Sequence, residues 1–451
     1  MITGWWSHGI GLLKNRKATF KTQKDLFSDL QAKMEAFKDA ANAIRKSSSF
    51  LDFKASTDNE GYLTASASSS ATAGTHVIDV NTLAKAEVSS SAGYADKDTT
   101  GHGTGILQIT VGGSTTNINI TSSNNTLDGI AAAINAEDGL DVTATVMNTG
   151  DPATPYKLVL SADNMGTAGA FTVGTDAADP TLTAFASSID SNEDVAGTDA
   201  VFTVNNIQIT RSSNTISDVI PGVTLTLTGV HPSTGNTTTT LTISTDGTAT
   251  AEKVKKFVDT YNEIVDFVNK QNEVTINDSG SSLFASGDNN EPRVKANPLI
   301  GDSTLRTIQR TLRGIMGSSV DTGDQSYALL AQVGIDSDRD GKLTFNQSEF
   351  EEALPLGEAA IKDLFTKTGE GIADRVFDQL ETFTDSIDGI VKTRIDGIDR
   401  NNQDIDRQIA RLEERLERFE QRLVDQFTTM ELTLARLQQQ AGSLIGLTPQ
   451  S

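Results

Sequence analysis

Ile395, Ile398, Asn402, Ile405, Ile409, Leu412, Leu416, Phe419 and Leu423 follow one another at alternating steps of three and four. The seam steps by four once more to Phe427, then runs on through Met430, Leu434, Leu437, Ala441 and Leu444. Such spacing lines one face of a helix. A helix from residue 389 to 444 would be roughly 80 Å long at 1.5 Å per residue. It cannot bury its own stripe and needs a partner helix. The two successive steps of four form a stutter, which locally unwinds a left-handed supercoil. Asn402 is a polar seam residue that fixes register at some cost in stability. A matching stripe lies at the other end of the chain: Phe20, Gln23, Phe27, Leu30, Met34, Phe37, Ala41 and Ile44, with Gln23 its polar member. The Ser47-Ser48-Ser49 run stops it. The two ends are therefore expected to pair as an intramolecular hairpin, and the longer C-terminal arm to contact neighbouring subunits as well. Charge pairs such as Asp396–Arg400 and Glu414–Arg418 sit at i,i+4 and solvate the outer face.

Between the helical ends the pattern changes. Residues 55–248 are rich in Thr, Ser, Gly, Val, Ile and Asn and alternate as half-buried antiparallel strands do. One block holds strands at Gly105–Val111, Asn117–Thr121, Val142–Val146 and Leu158–Leu160, with a short helix at Leu127–Asn135. The other holds Val201–Val204, Ile207–Thr210, Val223–Thr228 and Thr240–Ile243, with a Pro221-Gly222 turn. A third amphipathic helix, Ala251–Gln271, carries Val254, Phe257, Tyr261, Ile264 and Val268 on one stripe and returns the chain to the helical part. The expected fold class is a multidomain α+β protein. Its terminal helices form a coiled-coil and bundle stalk, and two antiparallel β-rich domains are inserted between them. The expected divisions are 1–54, a leg and stalk; 55–100 with 197–249, an inner β head; 101–196, an outer β head; 250–388, a helical stalk domain; and 389–451, a C-terminal leg.

Composition narrows the chemistry. Lys and Arg number 37 against 60 Asp and Glu, a net charge of −23. That disfavours nucleic acid, whose binding rests on cationic neutralisation of phosphate, and anionic membrane surfaces. No segment is apolar enough to span a bilayer, so membrane insertion is not expected. Met1 to His8 lacks the basic and apolar regions of a signal peptide, so an extracellular role implies another export route. With no cysteine there is no disulfide, thiolate metal site or cysteine nucleophile.

His8, His76, His102 and His231 are scattered, with none at helical spacing from another. The glycine-rich Gly101–Gly105 stretch precedes a strand, not the helix N-terminus that a phosphate cradle needs. Asp336, Asp338, Asp340 and Gly341 imitate the start of a calcium loop, but position 12 is Gln347 where a bidentate Glu is required. The stretch reads as a turn into a strand at Lys342–Phe345. No catalytic residue, metal site or cofactor is expected, and the chain reads as no enzyme.

Several segments resemble the flagellar hook-associated protein 2 family, the filament caps. Ile209–Leu227, with its Ile220-Pro221-Gly222, resembles that family's hallmark stretch, and Lys255–Lys270 the helix that follows it. Asn297–Arg306 and Gly334–Phe345 are similar to further family segments, and Asn125–Asn135 to a repeat shared by flagellins and hook-associated proteins. The resemblance covers residues 12–446, while Met1 to Gly11 departs from the longer apolar start usual in the family.

The resemblance implies a secreted structural cap at the distal tip of the bacterial flagellar filament, which prevents flagellin leakage and promotes flagellin polymerisation. It implies a ring-shaped homo-oligomer, a pentamer, that works with flagellin and a flagellar export chaperone. The residues expected to carry coiled-coil assembly are Phe27, Leu30, Phe37, Ile44, Ile405, Ile409, Leu412, Leu416, Phe419 and Leu423. The alternative is an extracellular adhesin that binds host mucin or glycans.

Overall fold

The N-terminal stripe forms α1 (Ile2–Ile44), followed by a single turn, α2 (Ser47–Phe50). This computed structural model describes residues 2–99, 101–176, 179–233, 237–276 and 294–445. It divides into two compact units: Met1–Phe50 with Gly247–Ser451, and the inserted Leu51–Asp246.

In chain order the inserted unit runs β1 (Phe53–Thr57), β2 (Leu63–Ala67), β3 (Gly74–Thr82), β4 (Ala86–Ser90), β5 (Gly105–Val111), β6 (Ser114–Ile120) and α3 (Leu127–Asn135). It continues with β7 (Val142–Asn148), β8 (Tyr156–Met165), β9 (Phe171–Thr175), α4 (Pro180–Asp190), β10 (Glu193–Val195), β11 (Ala200–Val204), β12 (Ile207–Arg211), β13 (Thr215–Ile216), β14 (Val223–Leu227) and β15 (Thr239–Thr245). Every strand pair is antiparallel.

Two hydrophobic clusters organise these elements. The first lies between the five-stranded sheet β1-β15-β3-β11-β12 and the three-stranded sheet β13-β14-β2, around Leu63, Ile78, Val80, Phe202, Leu225 and Leu241. Strands β11 and β14 each bury every second residue, as their alternating sequences require. The second cluster gathers Leu107, Ile118, Ile130, Leu158, Leu182 and Phe185 from sheets β10-β4-β8-β7 and β6-β5-β9 and from helices α3 and α4. Strand β4 thus pairs with β8 and β10, not with the five-stranded sheet.

The β11–β12 hairpin turns on Asn205 and Asn206, both left-handed at φ 50° and 67°, the conformation of a two-residue primed turn. Asn214, within the hallmark stretch, accepts from the Ala84 N–H at 2.8 Å and donates to the Ala84 carbonyl at 2.9 Å. It thereby takes the place of a strand partner where β3 gives way to β4.

The second half of the helical unit begins with α5 (Gly247–Asn272), then the pair β16 (Val274–Ile276) and β17 (Val294–Ala296). Next come α6 (Ser303–Met316), the hairpin β18 (Ile335–Ser337) and β19 (Leu343–Phe345), α7 (Gln347–Thr366), α8 (Ile372–Thr384) and α9 (Ile390–Ile445). The later half of α1 buries Phe27, Leu30, Met34, Phe37, Ala41 and Ile44 completely, in a bundle with α5 and α8. The Phe37 ring lies 5.0 Å from that of Phe257 and 5.8 Å from that of Tyr261.

Tyr261 also donates its hydroxyl to the Gly341 carbonyl at 2.8 Å, and burial pushes its pKa up to about 12. Asn262 accepts from the Leu343 N–H and donates to the Leu343 carbonyl, each at 2.8 Å. The Asp-rich loop that imitates a calcium site is therefore a hairpin clamped onto α5. Within it the Asp338 carboxylate accepts the Lys342 N–H at 2.8 Å.

Candidate assembly surface

The first half of α1 packs along α9, and the pairing is antiparallel. Lys24 meets Asp399 at 2.8 Å, Lys17 meets Asp406 at 2.5 Å, and Lys14 meets Glu413 at 3.7 Å. These exposed pairs contribute only a few tenths of a kcal/mol to about 1 kcal/mol each, but together they fix the register. Beneath them Ile10, Ile405 and Ile409 are buried, with Leu13, Phe20 and Leu412 partly buried against them.

The expected assembly residues fall into two groups that the fold does not bring together. Phe27, Leu30, Phe37 and Ile44 lie inside the bundle with no exposed surface, so they act on stability. Ile405 and Ile409 hold the hairpin, and Leu412, Leu416, Phe419 and Leu423 are half-buried along α9.

Beyond Leu423 the stripe opens. On this register α1 begins, at Ile2, level with about Gln421. α9 runs on from there to Ile445. There Val424, Phe427, Met430, Leu432, Leu434 and Leu437 are each 55–60 % exposed. Single exposed apolar residues are ordinary, but a continuous row of them marks an interaction surface. The seam residues Ala441 and Leu444 lie outside the residues whose side chains are described.

Val424 and Leu432 had no place in the heptad reading. Val424 flanks the stripe, whereas Leu432 lies on the opposite face of the helix. The stutter at Phe427 was the sequence signal that the pairing changes character at this point.

The inserted unit has a different feature. A cavity of about 520 Å³ is lined by Tyr94, Asp96, His102, Phe185 and Ser188 among others. Tyr94 and His102 meet edge to face at 4.4 Å. Burial holds His102 below its usual pKa and raises that of Tyr94, so both rings stay neutral near pH 7. The Tyr94 hydroxyl shares a hydrogen bond with Ser188. Among the described residues no group of three metal-ligating side chains occurs, and no helix is long and apolar enough to cross a membrane.

Comparison with known proteins bears on this architecture. Residues 197–439 match the family model "Flagellar hook-associated protein 2 C-terminus", and residues 9–87 match its N-terminal counterpart. The chain is 29 % identical over 446 residues to flagellar hook-associated protein 2 of Escherichia coli O157:H7, covering 96 % of this chain and 91 % of that protein. It is also 29 % identical over 400 residues to the B-type flagellar hook-associated protein 2 of Pseudomonas aeruginosa PAO1, covering 85 % and 80 %. The crystal structure of the D1-D2-D3 domains of the flagellar cap protein FliD from Escherichia coli superposes with a TM-score of 0.65 at 28 % identity, over 83 % of this chain and 99 % of that one. The matched models span both helical ends and the entry to and exit from the β region, and the solved structure has the same mixed helix-and-sheet fold. This chain belongs to the flagellar hook-associated protein 2 family.

Proposed function

We propose that this chain is a structural cap at the distal end of a bacterial flagellar filament. It holds back flagellin that would otherwise leak away and promotes flagellin polymerisation at the tip. It acts outside the cell as a ring-shaped homo-oligomer, a pentamer, after delivery to the export machinery by a flagellar chaperone. Its work is mechanical and not catalytic. The observation that carries this reading is the helical hairpin of α1 and α9, whose C-terminal arm carries an exposed apolar row from Val424 to Leu437. A cap must be held by other chains at the tip, and an amphipathic helix with one uncovered face offers them a surface.

The parts divide the labour. Residues 1–54 and 389–451 serve as the leg and 250–388 as the stalk. Residues 55–100 with 197–249 form the inner head and 101–196 the outer head, with β4 lent to the outer sheet. Ile405, Ile409 and Leu412 hold the leg together. Leu416, Phe419 and Leu423 begin the docking stripe, and Phe427, Met430, Leu434 and Leu437 complete it.

The test uses a strain lacking the gene, complemented with the full chain or with the chain carrying Phe427→Glu and Leu434→Glu. Both side chains are exposed, so the variant keeps its helicity and its thermal midpoint. The deletion strain and the variant strain are expected to release abundant monomeric flagellin into the medium and to carry bare hooks. Normal filaments with little free flagellin in the deletion strain would overturn the cap reading. Normal filaments in the variant strain alone would remove the stripe from it.

A further inference from the structure

Lys14, Lys17, Lys21 and Lys24 stand at steps of three, four and three along the first half of α1. In a chain of net charge −23 such a row is unusual. Three of the four lysines are taken up by α9 carboxylates. Lys21 makes no ion pair among the described residues. The row borders a groove of about 550 Å³ along the α1/α9 seam, lined by Ala18, Lys21, Lys24, Asp25, Asp399 and Asn402 among others. Its floor is the small Ala18 and its walls are largely lysine stems, apolar up to their charged heads.

Asn402, the polar seam residue, has its Oδ1 enclosed there, and this atom accepts no hydrogen bond among the described residues. A buried acceptor without a donor is unfavourable. Nothing in the α1/α9 hairpin relieves it. The hairpin thus leaves Lys21 without an ion pair and the Asn402 Oδ1 without a donor among the described residues.

The distal part of α9 offers what the groove lacks. Glu417, Glu420 and Glu431 make no ion pair among the described residues, and they flank the exposed row Val424, Phe427, Met430 and Leu434. α9 is a single rigid helix that runs antiparallel to α1, so its distal part cannot turn back to the groove of its own chain. We propose that the Glu417–Leu437 segment of a second copy lies in this lysine-lined groove, with one of its unpaired carboxylates on Lys21 and an apolar side chain over Ala18. Entry of a polar group lets the Asn402 carboxamide rotate to meet a donor. Groove and stripe are different patches of one chain, so the contact is head-to-tail and closes into a ring when the rotation between copies permits. The inference rests on the homo-oligomeric cap reading and names the surfaces that join its copies.

The absence of cysteine makes the test direct. Full chains carrying Lys21→Cys are mixed with full chains carrying Glu417→Cys, Glu420→Cys or Glu431→Cys and oxidised mildly. Disulfide-linked dimers are then mapped by mass spectrometry, with Thr382→Cys as a control on an exposed face elsewhere in the helical unit. The expected result is a crosslink from Lys21→Cys to at least one of the three, roughly tenfold above the control pair. In sedimentation, Asn402→Leu is expected to raise the thermal midpoint, because it removes the orphaned acceptor, yet to weaken self-association.

An associating chain with no such crosslink would overturn the inference and leave the ring reading standing. A chain that stays monomeric at every concentration would sink both. A crosslink from Lys21→Cys that forms only to added flagellin would assign the groove to flagellin and overturn the inference. So would an Asn402→Leu chain that is more stable and associates unchanged.

Discussion

Gln23 interrupts the apolar stripe of α1, and the fold gives the reason: its Nε2 donates to the Pro298 carbonyl at 2.7 Å, tying the helix to the segment that leads into α6. The Asp302 carboxylate then caps α6 through the Thr304 N–H and meets Arg394 of α9 at 2.9 Å. Gly222 carries a comparable constraint in the other unit. It sits at φ 75°, and a Cβ there would lie 2.5 Å from the Ala71 backbone nitrogen. A left-handed alanine costs about 1–2 kcal/mol and overpacking adds about 1–3 kcal/mol. Gly222→Ala should therefore lower the stability of the inserted unit by about 2–5 kcal/mol in urea titration, with the helical unit unaffected. Glu87 is buried in β4, its carboxylate accepting the Phe171 N–H at 2.9 Å and the Ser89 hydroxyl at 3.0 Å. Burial raises its pKa despite those bonds. The unfolded chain ionises first as pH rises, so the stability that the protonated group contributes is complete in acid and is lost through the window above the usual glutamate value. Glu87→Gln should gain stability relative to the parent as pH rises above the usual glutamate value of about 4, read from thermal midpoints at each pH. A constant difference across that range would remove Glu87 as the titrating group.

Helices α1 and α9 each do two jobs along their length. The later part of α1 is a core element and its earlier part a surface strut, and the same heptad pattern serves both. Phe37→Ala should cost about 3–5 kcal/mol, since Phe37 packs on Phe257 and Tyr261 with no exposed surface. Phe427→Ala on the open stretch should leave the unfolding midpoint of the monomer within error. Chemical denaturation followed by circular dichroism separates the two outcomes. The heptads at both ends, the Ala251–Gln271 helix and the alternating strands were readable because their periods, 3.6 and 2, are local properties. Helix α4 escaped that reading within a threonine-rich stretch, although Asp179 accepts the Thr181 N–H as its N-cap and Pro180 opens it. That Asp-Pro pair is the signal that would have found it.

For the molecule as a whole, the insertion is closed at its base. Phe53 of β1 pairs with Thr245 of β15, and the Asp246 N–H donates to the Asp52 carbonyl at 2.7 Å. The ends of the inserted unit therefore meet within its own sheet, and residues 51–246 should fold alone with a cooperative transition. A fragment that stays unfolded by circular dichroism would show that the unit depends on its helical flanks. The periodicity of the chain alone determined that two helical ends frame a β-rich insertion and that the ends pair. Family resemblance within those segments added the cap reading. Only the tertiary structure decided which part of each heptad is core and which is surface, because identical spacing serves a bundle, a hairpin and an open stripe. Burial depends on which residues face each other, and that is set by the register of Lys17 on Asp406 and Lys24 on Asp399, not by either helix alone. The same register places four lysines and Asn402 around one groove, a juxtaposition that residues hundreds of positions apart acquire only on folding.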